Sequence, residues 1–150
     1  MDWTKLFFSP EGRIGRQAYW IGWLVLLGVN SLLSWTVVAP LVAIYCWICI
    51  SAKRFHDMGK SGWLAAIPIG ASFIALFSIF PIVAAAVLSG AAANGDENAI
   101  AAAVLGAVGS SLLVMLAAFV IAVGFLIWQG VTPSDPGENR YGPPPQPAVA

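Results

Sequence analysis

The side chains able to do chemistry are few, and they sit in three short patches, residues 8–20, 53–63 and 137–142. His56 and Asp57 put a group that titrates near neutrality beside a carboxylate. Adjacent side chains usually point apart, however, and a general base needs its partner within about 3 Å. Ser61 follows closely but lies in no nucleophile-elbow context. We therefore assign no catalytic residue, and an enzyme is not the favoured reading. Arg13, Arg16 and Arg54 carry planar guanidiniums suited to bidentate contact with a phosphate or carboxylate. Tyr19, Trp20 and Trp63 can wall such a pocket, and His56, Asp57, Ser61, Asn139 and Tyr141 complete the candidate ligand-binding set. Cys46 and Cys49 match a redox spacing by letter, but a reactive thiolate needs an electropositive, partly open setting. These two stand among Ile44, Tyr45, Trp47 and Ile48 and read as small packed residues. Beyond these two cysteines only His56 could complete a zinc site, so no metal or cofactor is expected.

The elements that must position these patches are apolar. Of 150 residues, 59% are hydrophobic and 9% charged, against roughly 45–50% and about 25% in soluble domains. Three stretches, 17–52, 61–95 and 98–134, contain no charge over 36, 35 and 37 residues. Each far exceeds the roughly 18 apolar residues of a transmembrane candidate. The expectation is an all-α polytopic membrane protein. A straight helix over the first stretch would be about 54 Å long against a core of about 30 Å, so it must tilt, overhang or fold back, and Pro40 lacks a backbone donor and disfavours helix before it. A turn at 36–40 then divides it into helices over 18–35 and 41–52, the second continuing into Lys53 and Arg54 with their side chains snorkelling.

Charge placement selects the topology, because Lys and Arg in short loops collect on the cytoplasmic side. Four transmembrane helices with cytoplasmic N and C termini put Lys5, Arg13, Arg16, Lys53, Arg54, Lys60 and Arg140 on one face and only Asp96 and Glu97 on the other. A fifth span, made by dividing the second stretch at Pro81, separates the basic residues six to one and is the alternative. The domain plan is a cytoplasmic interfacial segment 1–17, a transmembrane domain 18–131 with a cytoplasmic loop 53–62, and a disordered Pro-rich cytoplasmic tail 132–150. Zero net charge argues against nucleic acid, which needs a clustered basic face. The first apolar run also outlasts the ~7–15-residue core of a cleaved signal peptide.

Tyr19, Trp20 and Trp23 at one end of the first helix and Trp35 at the other suit two interfacial belts, and Trp63 and Trp128 suit the cytoplasmic ends of the third and fourth. Residues 84–118 hold 13 alanines. Ala102, Gly106 and Ser110, like Ala103, Ala107 and Ser111, recur every four residues and allow close helix approach. That pattern serves packing within one bundle or a homo-oligomer through Ala/Gly/Ser faces. No ionisable side chain falls in an expected span, which weighs against proton-coupled or cation transport. Asn30, the strongest polar residue there, suits an interhelical hydrogen bond.

Three motifs carry a family resemblance. Gly12-Arg13-Ile14-Gly15-Arg16-Gln17-Ala18-Tyr19-Trp20, Arg54-Phe55-His56-Asp57-Met58-Gly59-Lys60-Ser61-Gly62-Trp63 and Gly137-Glu138-Asn139-Arg140-Tyr141-Gly142 stand in this order. The chain resembles the small bacterial inner-membrane proteins of the domain of unknown function 805 family. Lys53 stands where that family commonly has a second Arg, and Leu64 where it often has another Trp. The resemblance implies a multi-pass protein of the bacterial inner (plasma) membrane and no established reaction. The expected partner is the lipid bilayer. The Arg/His/Asp/aromatic cluster is expected to bind an anionic ligand or lipid headgroup, or to organise assembly, with a membrane-embedded enzyme or small transporter as the alternative.

Overall fold

In the computed structural model, residues 2–36, 38–92 and 96–145 are described, and among them there is no strand. The elements are α1 (Trp3–Phe8), α2 (Arg16–Leu33), α3 (Val38–Asp57), a 3-10 turn (Gly62–Ala65), α4 (Ala66–Ala92) and α5 (Glu97–Val131). Three helical stretches, Val38–Asp57, Gly62–Gly90 and Glu97–Val131, are long and apolar enough to cross a membrane. This is a membrane-protein pattern.

The first apolar stretch does turn back on itself. α2 stops at Leu33, and the Thr36 hydroxyl donates to the Leu33 carbonyl while accepting from Ala39 N–H. α3 then begins at Val38, earlier than the expected 41, with Pro40 in its first turn. A proline is tolerated there because the first N–H groups of a helix have no intrahelical acceptor. α4 runs unbroken through Pro81, so that proline does not divide it.

The chain forms two compact units, Met1–Ala66 with Leu126–Ala150, and Ile67–Phe125. In the first, α3 packs against α1, α2 and the 3-10 turn. Its core is built from Leu6, Ile14, Tyr19 and Ile50, with Phe7, Trp20, Leu26 and Leu126 against them. In the second, the helices present Ile74, Leu76, Phe77, Leu105, Leu113 and Phe119 outward. Between them lies an apolar groove of about 510 Å³ that includes Val83, Val87, Ile100 and Val104. Ala107 and Ser111 line that groove too, whereas the Ser110 hydroxyl turns back to the Gly106 carbonyl at 2.7 Å.

α3 ends by a definite device. Gly59 N–H donates to the His56 carbonyl and Lys60 N–H to the Phe55 carbonyl, with Gly59 at φ +68°. This is a Schellman ending, in which the left-handed residue is best supplied by glycine. It delivers Arg54, His56 and Asp57 on the last turn of a well-packed helix.

Candidate functional site

Lys53 and Arg54 do not snorkel. Both are buried, Arg54 completely, because each finds the open carbonyl end of another helix. The last four carbonyls of a helix have no intrahelical donor and carry partial negative charge. Lys53 Nζ donates to the Lys5 and Leu6 carbonyls in the last turn of α1, and Tyr45 Oη donates to the Phe8 carbonyl at 3.2 Å. Arg54 serves the end of α5, which has no basic residue in its own last turn. Its Nε donates to the Gln129 carbonyl at 2.7 Å and its Nη2 to the Thr132 carbonyl. Trp20 Nε1 donates to the Gly130 carbonyl at 3.3 Å. A Cβ on Gly130 would lie 2.6 Å from Trp20 Cε2, so the indole needs a glycine there.

Asp57 joins these ends. Its Oδ2 accepts from Arg54 Nη1 and Ser134 Oγ; its Oδ1 accepts from Arg13 Nε at 3.2 Å and forms an ion pair with Arg13 Nη2 at 3.2 Å. Arg13 arrives on the extended segment between α1 and α2, and its side chain is 1% exposed. Its remaining bonds gather the chain after α5: Nη1 donates to the Gly137 and Gly142 carbonyls at 2.7 and 3.0 Å, and Nη2 to the Asp135 carbonyl at 2.6 Å. Asp135 N–H closes the loop on the Asp57 carbonyl at 2.8 Å.

His56 occupies the outer side of this network. Its Nδ1 meets the Gly12 carbonyl at 3.2 Å, and its ring stacks on Tyr141 with centroids 3.8 Å apart. The Arg140 guanidinium carbon lies 4.7 Å from the Tyr141 ring centroid. Asn139 Nδ2 donates to the His56 carbonyl at 3.0 Å, and Asn139 Oδ1 accepts from Tyr141 N–H at 2.9 Å. A Cβ on Gly62 would stand 2.8 Å from His56 Nε2. Gly62 is thus the space that the imidazole needs.

Of the residues singled out in the sequence, Arg13, Arg54, His56, Asp57, Asn139 and Tyr141 come together. Tyr19 is wholly buried in the adjoining core, and Trp20 caps α5. Three stand apart from the network. Arg16 is exposed at the start of α2 and makes no hydrogen bond or ion pair among the described residues. Ser61 caps the 3-10 turn by accepting from Trp63 N–H, and Trp63 is 84% exposed. Arg54 and Asp57, one turn apart on α3, pair with both side chains buried.

Sequence reasoning missed Ser134, Asp135 and Gln129. The stretch 132–145, expected as extended solvated chain, makes the contacts described above; 146–150 lie outside the described residues. No signal in the residue types marks Gln129, because its contribution to Arg54 is a backbone carbonyl. Cys46 and Cys49 are free and buried on α3. Among the described residues, no group of three or more His, Cys, Asp or Glu side chains is placed to hold a metal ion.

The class so defined is an all-helical membrane-type protein with a buried arginine–aspartate network tying its polar segments together. The sequence profile of the DUF805 family, proteins of unknown function, matches residues 29–143, and the chain belongs to that family. Comparison with curated proteins and with solved structures finds no match.

Proposed function

We propose that this is a four-span protein of the bacterial inner membrane, with both termini cytoplasmic, in which the Arg13–Asp57–Arg54 network is an assembly clamp. The observation that carries this reading is the use of the donors. Every nitrogen of Arg13 and Arg54, and both carboxylate oxygens of Asp57, bond to groups of the chain itself. A pocket built to seize an exchangeable phosphate or carboxylate by bidentate contact would leave a guanidinium edge open. The clamp instead joins the N-terminal segment, the end of α3, the end of α5 and the stretch after it.

Two features support the topology. α2 has 18 residues, about 27 Å at helical rise and close to the roughly 30 Å hydrocarbon core, and exposes Leu24, Val25, Leu27, Val29, Leu32 and Leu33. The first unit also holds α1, the end of α3 and the described stretch after α5, which suits a chain that leaves and returns to one face twice. Lipid headgroups are a second reading for Arg16 alone, the exposed arginine whose donors are unspent among the described residues.

Single-cysteine reporters in a Cys46→Ala, Cys49→Ala background test the topology. With an impermeant maleimide on spheroplasts, Asp96→Cys is expected to label directly and Glu138→Cys only after permeabilisation; labelling of both from outside refutes four spans. Arg13→Ala should reduce accumulation of folded protein. Normal accumulation of that variant refutes the clamp.

A further inference from the structure

The interior beside Arg54 contains more polar atoms than the clamp uses. Tyr19 Oη, Ser51 Oγ, and both Nε2 and Oε1 of Gln129 are buried with no hydrogen-bond partner among the described residues. All three residues are 0% exposed. Each of the three residues neighbours Arg54. Ser51 precedes Arg54 by one helical turn on α3, so the two share a face. Gln129 gives its carbonyl to Arg54 Nε, and Tyr19 lies within electrostatic reach of the guanidinium. A native interior pairs nearly all its buried polar groups, and each one left open costs about 1–3 kcal/mol. Three on one arginine call for an occupant.

Charge identifies its kind. Arg13 and Arg54 are both buried and share a single carboxylate, that of Asp57. The nearby Asp135 carboxylate accepts from the Asn139 amide at 3.3 Å and, among the described residues, from no guanidinium. The two guanidiniums therefore have one directly paired carboxylate between them where desolvation is costly. The open groups can donate: two hydroxyls, the Gln129 amide, and the second N–H of each Arg54 terminal nitrogen. We propose that Tyr19, Ser51, Arg54 and Gln129 enclose a binding site for a small monatomic anion of the halide class, which supplies the missing counter-charge. Complete burial selects a monatomic ion over a phosphate or a lipid phosphodiester, whose additional oxygens would require the wall to open.

The site makes the protein's stability depend on the anion, not on ionic strength. Purified full-length protein in detergent is unfolded thermally in sodium chloride, sodium bromide, sodium phosphate and sodium gluconate at matched ionic strength. Chloride and bromide are expected to raise Tm over gluconate by about 5–10 °C at a hundredfold excess over Kd, and phosphate is not. In Ser51→Ala with Gln129→Leu the halide increment should vanish. Line broadening of chloride NMR by the unmodified protein, reversed by bromide, gives a reading that needs no variant to fold. Equal Tm in chloride and gluconate overturns the proposal, as does an increment that survives in the double variant, a phosphate effect equal to chloride, or a bromide-soaked structure with only water on these atoms. The clamp is tested separately by accumulation of the Arg13 variant, so either idea can fail alone.

Discussion

Replacing Asp57 by asparagine changes one oxygen to nitrogen and leaves the shape of the side chain intact. In the structure, Arg13 Nε, Arg54 Nη1 and Ser134 Oγ donate to that carboxylate, and Arg13 Nη2 pairs with it ionically at 3.2 Å. An asparagine keeps one oxygen and turns an N–H2 group toward donors, while two buried guanidiniums lose the carboxylate they share. Removing one partner of a buried pair costs about 3–5 kcal/mol, mostly through the charge left uncompensated. Against a total stability of about 5–15 kcal/mol, that is a large fraction. The assay is reversible unfolding in mixed micelles, read by tryptophan fluorescence, for Asp57→Asn, Arg54→Met and the double variant. If stranded charge is the cause, Arg54→Met should cost less in the Asp57→Asn background than in the unmodified protein, by about 1–3 kcal/mol of coupling. A loss below about 1 kcal/mol for Asp57→Asn, or additive losses in the double variant, would refute the buried-clamp argument.

Gly130→Ala should be destabilising by about 1–3 kcal/mol, since its Cβ would overlap the Trp20 indole, and Trp20→Leu should remove most of that penalty in a thermal-unfolding comparison. Gly59→Ala places a side chain at φ +68° and should cost about 1–2 kcal/mol; an unchanged Tm contradicts the Schellman ending. Truncation after Pro133 removes the Asp135, Gly137 and Gly142 carbonyls that Arg13 holds. Proteolysis of the truncated protein should then cut the segment between α1 and α2 faster than in the full chain, and an equal rate argues that the stretch after α5 holds nothing in place.

The residue types at the site were legible before their roles were. Arg13, Arg54, His56 and Asp57 were marked by being polar in an apolar chain, and Gly59 and Gly62 only as members of the second motif. Gly59 proves to end α3, and Gly62 to admit the imidazole. Arg16 looked equivalent to Arg13 in sequence, yet only Arg13 leaves the chain ahead of α2 at a point where carbonyls from the stretch after α5 meet it. Lys53 and Arg54 looked like surface anchors because snorkelling is the common fate of cations beside a span. They turn inward because α1 and α5 end beside them with carbonyls unpaired.

Hydropathy and charge spacing alone determined that this is an all-helical, membrane-type chain whose polar residues fall into three patches. Those properties are local, set by which side chains can leave water and where a helix can start or stop. The tertiary structure decided what the patches do to each other. Most acceptors for Arg13, Lys53 and Arg54 are backbone carbonyls, among them those of Leu6, Gln129, Asp135, Gly137 and Gly142. A carbonyl is present at every residue, so no pattern of side chains announces which ones will be left open where helices end together.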